Sequence, residues 1–254
     1  MKRMKKRCLA ATLTLGLITM AAGSLLAQQN LFNIPSGDLT PKGKFFYQHQ
    51  TNFYSPTNTE SKNHLVYGLG GGFEAGVNVV NLKVDWRSRY RNTEFLAVNN
   101  ADRTVPLKPL VQLTGQKFFF LGERFKATIG TQVGFSLVSP GNTRPTHFTY
   151  NTWIYEPKPH AKLVAGPYVT DRGTVGGGNN VGFMLGFEYP LGKRLLLMGD
   201  FISGRNATAV SVLGFNFLAT KRLQLCLGAL VPNPGSGNPA GVVFELNLLG
   251  FDDH

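Results

Sequence analysis

The stretch 68-GLGGGFEAG-76 admits two readings, and they belong to different folds. Gly70, Gly72 and Ala75 match the G-x-G-x-x-G/A spacing of a dinucleotide-binding loop. A plausible strand, 64-HLVYGL-69, precedes it, and Asp85 follows as a ribose-binding carboxylate would. That motif requires a helix after the glycines, inside a βαβ unit of ~30 residues. Between Phe73 and Asp85 there is no room for a helix and a second strand. In 73-FEAGVNVVNL-82, Phe73, Ala75, Val77 and Val79 instead share one face of a strand. The glycines are then residues free to take positive φ in a tight hairpin.

The same period-2 alternation recurs along the chain. In 124-RFKATIGTQVGFSLV-138, Ala127, Ile129, Val133, Phe135 and Leu137 alternate with Lys126, Thr128, Gly130, Gln132, Gly134 and Ser136. In 181-VGFMLGFEY-189, Val181, Phe183, Leu185, Phe187 and Tyr189 alternate with Gly182, Met184, Gly186 and Glu188. In 222-RLQLCLGALV-231, Leu223, Leu225, Leu227, Ala229 and Val231 alternate with Gln224, Cys226 and Gly228. Twelve strands are expected, at 44–54, 63–70, 72–82, 108–120, 124–138, 147–155, 158–169, 180–190, 193–203, 207–218, 222–231 and 240–249. Most have the ~9–11 residues that a tilted strand needs to cross a bilayer. Short turns at 70–72, 121–124, 156–158, 190–193 and 219–222 alternate with connections at 55–62, 83–107, 139–146, 170–179, 204–206 and 232–239. Short turns at one end and longer loops at the other are the plan of a transmembrane up-and-down β-barrel, with both termini on the periplasmic side.

A soluble barrel alternates too, so the polar face has to decide. It carries Gln48, Gln50, Asn52, Asn78, Gln112, Thr114, Gln116, Thr128, Gln132 and Ser136 rather than a row of Lys and Glu, which suits a wet interior. Composition agrees: charged residues are 16% against ~25% in typical globular chains. Gly numbers 30, and Phe and Tyr together 27, yet no segment after the N-terminal leader has 18 consecutive apolar residues.

The chain opens 1-MKRMKKRCLAATLTLGLITMAAGSLLAQQN-30, with five basic residues in the first seven, an apolar stretch and 24-SLLA-27. This is the form of a secretory signal peptide, with cleavage expected after Ala27. Four segments follow: 1–27 signal peptide, 28–43 periplasmic N-terminal segment, 44–251 outer-membrane barrel and 252–254 a C-terminal overhang. Without the signal, 21 basic residues against 14 acidic leave a net charge of +7 and no dense basic tract, which argues against nucleic acid as a partner. Cys226 is then the lone cysteine and cannot form an internal disulfide. The final strand, 240-AGVVFELNLLGF-251, ends in an aromatic residue but is followed by 252-DDH-254.

The segment 31-LFNIPSGDLTPKGKFFYQHQTNFY-54 resembles the opening of a group of bacterial outer-membrane barrel proteins of porin or transporter type. The resemblance rests on 34-IPSGDLTPKG-43 followed by an aromatic first strand, and continues through 67-YGLGGGFEAGVNVVNL-82. It covers about a third of the chain and implies fold and location in the outer membrane of a Gram-negative bacterium. Outer-membrane lipids and the barrel assembly machinery are the partners it implies. No functional residue carries over from it.

Candidate lumen or mouth residues are Arg87, Arg89, Arg91, Gln112, Gln116, Gln132 and Glu188. In 83-KVDWRSRYRNTEF-95 the arginines share a parity opposite to Leu82, Val84, Trp86 and Tyr90. A bulge near Val79–Asn81 is needed to turn them toward the lumen, where rings of Arg favour anions. Without it they meet lipid phosphates or solvent. The expectation is a narrow channel for small neutral or anionic solutes, with a monomer favoured. The alternatives are a closed barrel acting as anchor or adhesin, and a lipid hydrolase. For the hydrolase, 147-HFT-149 is the nearest approach to a His-x-Ser arrangement, and no catalytic set is assigned. The histidines have no metal-ligand spacing, and neither a metal nor a cofactor is expected.

Overall fold

A computed structural model describes residues 30–85, 106–136 and 145–252. The chain forms a closed barrel of twelve antiparallel strands in which each strand pairs with its sequence neighbours and the last closes on the first. The strands are β1 (Phe45–Ser55), β2 (Asn58–Gly70), β3 (Phe73–Asp85), β4 (Leu110–Phe120), β5 (Phe125–Ser136) and β6 (Thr146–Lys158). They continue with β7 (Ala161–Thr170), β8 (Val181–Pro190), β9 (Leu195–Ile202), β10 (Val210–Thr220), β11 (Leu223–Pro232) and β12 (Gly241–Leu249). One short helix, α1 (Arg172–Val175), lies in the β7–β8 connection, where the Asp171 carboxylate accepts from the backbone N–H groups of Gly173 and Thr174.

Pairing puts the large apolar side chains on the outside. Leu113, Phe120, Ile129, Trp153, Leu163, Val181, Leu213, Leu227 and Val231 are each more than half exposed. Such a continuous apolar outer wall has no place in water and fits the hydrocarbon of a bilayer. This is the expected transmembrane barrel, and the nucleotide-binding reading of 68-GLGGGFEAG-76 fails. Gly70, Gly71 and Gly72 all take positive φ, at 85°, 61° and 80°, in the hairpin turn between β2 and β3.

Two features differ from the sequence expectation. The 55–62 connection is much shorter than expected, because β1 ends at Ser55 and β2 begins at Asn58. Its residues 58-NTESKNH-64 are polar on both faces, which hides the strand from a hydrophobic pattern. The second concerns residues 30–43, which were expected to hang in the periplasm. They fold into the barrel, where Leu31, Ile34 and Ser36 are fully buried and Phe32 is 1% exposed. Apolar side chains of this segment pack on an apolar inner wall from β6 to β12 that includes Ile154, Val164, Met184, Met198, Val212 and Val243. The inner face of that half therefore carries an apolar patch against the plug, interspersed with buried polar groups such as Lys162, Glu188, Asp200 and Glu245. Full burial of three large apolar side chains stabilises docking by ~1.5–3 kcal/mol each.

Candidate functional site

The N-terminal segment enters at the short-turn end and rises into the lumen. Near its point of entry it runs across β2: Gly43 N–H donates to the Gly68 carbonyl at 2.9 Å, and Gly68 N–H donates to the Lys44 carbonyl at 3.0 Å. A Cβ on Gly68 would lie 2.2 Å from the Pro41 carbonyl oxygen, so only glycine lets the segment cross there. Deeper in, Lys162 reaches the Asp38 carboxylate and lies 3.6 Å from Glu188. Thr40 N–H donates to Glu74 at 2.8 Å. Near the apex of the segment the Asn33 backbone N–H donates to Asp200. Gln50 donates to the Phe32 carbonyl at 3.0 Å once its amide is oriented to satisfy both groups. The segment is thus a plug, held by apolar burial on one side and by polar contacts along its length. At the rim, outside the spanning strands' interior, burial and the nearby Lys162 hold the His160 imidazole below its ordinary pKa, against the opposing pull of Asp38.

The other half of the wall, β1 to β5, stays polar. Above the plug it borders a cavity of about 260 Å³, whose far side is formed by Phe148, Ile202, Val210 and Leu230. Gln48, Gln50 and Asn52 of β1 line it, with Lys62 and His64 of β2, Asn78 and Lys83 of β3, Gln112 of β4 and Gln132 of β5. The plug's Asn30, Phe32 and Asn33 form its floor. Lys108 also borders it and donates to Glu60 at 3.2 Å. Lys62 donates to the Asn33 side-chain oxygen at 3.2 Å. A much smaller cavity, lined by Val66, Glu74, Ala75, Gln116 and others, continues toward the short-turn end and shares Asn30, His64, Gln132 and Tyr150 with the first.

The bulge expected near Val79–Asn81 is present. Asn63 pairs with Val79 but Ser61 pairs with Leu82, and Asn81 has a φ of 60°. It turns Lys83 into the cavity. Arg87, Arg89 and Arg91 lie outside the described residues. Gln112 and Gln132 line the upper cavity. Gln116 lies lower, donating to Glu74 and accepting from the Tyr150 hydroxyl at 2.9 Å. Glu188 is 2% exposed and belongs to the Lys162 cluster rather than to the mouth. Lys83 shares the parity of the three arginines in the sequence and takes the inward direction that the bulge was expected to give them. Lys62, His64 and the plug residues were not singled out from sequence. A usable signal existed: 195-LLLM-198 is apolar at four successive positions, which marks a strand covered on both faces.

His147 and Thr149 are 3.4 Å apart between Nδ1 and Oγ1, too long a contact to couple a base to a nucleophile well. The His147 carbonyl accepts from Thr170 and Thr174, and its backbone N–H donates to Asp171, so this residue secures the base of the α1 connection.

A closed, all-antiparallel, up-and-down wall with an apolar exterior defines the class as a transmembrane β-barrel. The fold is similar to that of a solved structure described as a KdgM porin in complex with disordered oligogalacturonate. The TM-score is 0.52 at 6% sequence identity, covering 82% of this chain and 98% of that one. The Ralstonia pickettii toluene transporter TbuX gives a TM-score of 0.43 at 10% identity, covering 84% and 90%. The Escherichia coli outer membrane phospholipase A gives 0.43 at 13% identity, covering 85% and 94%. At these identities the likeness is one of fold. No protein-family model and no curated protein sequence matches the chain.

Proposed function

We propose that the protein is an outer-membrane barrel of channel type for small neutral or anionic solutes, and that its own N-terminal segment holds the lumen shut. On this reading residues 1–27 direct export and are removed, and the long connections face outside the cell. The observation that carries it is the amide-lined cavity above the plug. A closed anchor has no need of a polar chamber inside its wall, whereas a solute entrance needs many hydrogen-bonding groups and few fixed charges. Lys62, Lys83 and Lys108 outnumber Glu60 around it, which attracts anions over cations. Below, Glu74 already accepts from Thr40 and Gln116.

Planar-bilayer recording on the mature, refolded chain tests this. Wild-type protein is expected to give rare, small, anion-preferring openings that become frequent when the plug is loosened. Absence of conductance in both forms would refute the channel reading and leave the closed anchor.

A further inference from the structure

We propose that the cavity above the plug is a binding site for a small hydroxylated carboxylate. Three residues that line it have unspent bonding capacity. Among the described residues the Lys83 ammonium has no anionic partner, although it lines the cavity. The Gln112 side chain is 1% exposed, and its Nε2 donates to nothing. The Asn58 Oδ1 is likewise buried and accepts from nothing. A buried donor and a buried acceptor left unpaired each carry a desolvation penalty that a bound ligand would remove.

The three together specify the ligand. Lys83 stands opposite Glu60 in the β2–β3 ladder, but the Glu60 carboxylate is held by Lys108 at 3.2 Å, so Lys83, with Lys62 two residues on from Glu60, calls for negative charge. With no arginine fork among the described lining residues and only two lysines unpaired with acids, one carboxylate is better matched than a polyphosphate. Gln112 and Asn58 require both an acceptor and a donor on the same molecule, which hydroxyl groups supply. Phe148 and Tyr150 give the carbon skeleton an apolar side to lie against. A volume of about 260 Å³ falls just below the ~300–1,000 Å³ of sites for drug-sized molecules and limits the ligand to a small one.

The assignment rests on reading this cavity as the solute entrance, but binding can be measured apart from passage. Isothermal titration of the mature, refolded full chain with gluconate should show saturable binding. Sorbitol, which lacks the carboxylate, and hexanoate, which lacks the hydroxyls, should bind at least about tenfold more weakly, the loss of one charge-assisted or buried hydrogen bond. Lys83→Gln and Gln112→Leu should each weaken gluconate by a similar factor, Lys83→Arg should retain it, and Lys117→Gln at the opposite end should leave it unchanged. Heat-modifiable gel migration confirms that each variant is a folded barrel. No saturable gluconate binding, equal affinity for hexanoate, or indifference to both cavity variants would overturn the proposal. Binding with the expected variant effects, but no conductance even after the plug is loosened, would keep this site and remove only the channel.

Discussion

Replacing Phe32 and Ile34 together by alanine should unseat the plug while leaving the barrel closed. Phe32 is 1% exposed and Ile34 fully buried, and both pack on side chains of the wall rather than between strands. Truncation costs ~3–5 kcal/mol for a buried Phe and ~2–5 kcal/mol for a buried Ile. Even the smallest sum, ~5 kcal/mol, moves the docked-to-undocked ratio by more than a thousandfold at ~1.4 kcal/mol per factor of ten. The barrel's twelve ladders are untouched, so the cost falls on docking. Two amides report on it directly: Leu31 N–H, donating to the Ile34 carbonyl at 2.9 Å, and Thr40 N–H, donating to Glu74 at 2.8 Å. Hydrogen exchange in micelles should accelerate at both by about three orders of magnitude, in step with frequent openings in planar bilayers. Fast exchange without conductance would mean that something other than the plug closes the lumen. Unchanged exchange would mean that apolar burial does not hold it.

Other substitutions separate the forces in the structure. Lys162→Met strands the buried Asp38 and Glu188 carboxylates and should destabilise the folded barrel by ~3–5 kcal/mol in urea titrations from vesicles, with Asp38→Asn recovering part of the loss. Leu113→Arg places a cation on an outer position that is 69% exposed. It should cost ~2–4 kcal/mol in phospholipid vesicles if that position lies near the bilayer midplane, whereas a water-facing surface would absorb it within ~0.5 kcal/mol. Gly72→Val forces a β-branched residue to a φ of 80° with its Cβ 3.0 Å from the Phe118 carbonyl oxygen. It should destabilise by at least ~1–2 kcal/mol, while Gly122→Ala, which meets nothing within 4 Å, stays near neutral in the same titration.

Most of the wall was legible in the sequence because a strand advertises itself locally. Alternation in 73-FEAGVNVVNL-82 and 222-RLQLCLGALV-231 depends only on neighbours two residues apart, and both strands lie within a few residues of their expected bounds. The clash of parity across Val79–Asn81 was readable for the same reason, and the bulge sits there. The plug was illegible because its order comes from partners far away in the chain. Asn33 binds Asp200, 167 residues on, and Asp38 binds Lys162, 124 residues on. The string 31-LFNIPSGDLTPKG-43 has no repeat that shows this, and its prolines and glycines read as a linker. What the site owes to sequence is its amides, Gln112 and Gln132. Lys83 was readable too, through its parity and the expected bulge, and what the site owes to folding alone is a floor made by the plug.

The two halves of the lumen explain each other. A narrow barrel lined wholly by Gln and Asn would fill with water, and nothing would hold an N-terminal segment inside it. A barrel lined wholly by Met, Val and Ile would collapse around the plug and leave no path. Here Met184, Met198 and Val212 grip Leu31, Phe32 and Ile34 on one side, while Gln48, Asn78, Gln112 and Gln132 keep the opposite side polar. The plug is consequently packed against one wall by apolar burial and tied to the other by hydrogen bonds such as Thr40 to Glu74 and Lys62 to Asn33. The polar side narrows where the two cavities share Asn30, His64, Gln132 and Tyr150. Lys62, on β2, donates to the side-chain oxygen of the plug's Asn33 at 3.2 Å. On the channel reading proposed above, an anion that engaged Lys62 would compete with Asn33 for it, so one ammonium group would link entry of solute to release of the plug.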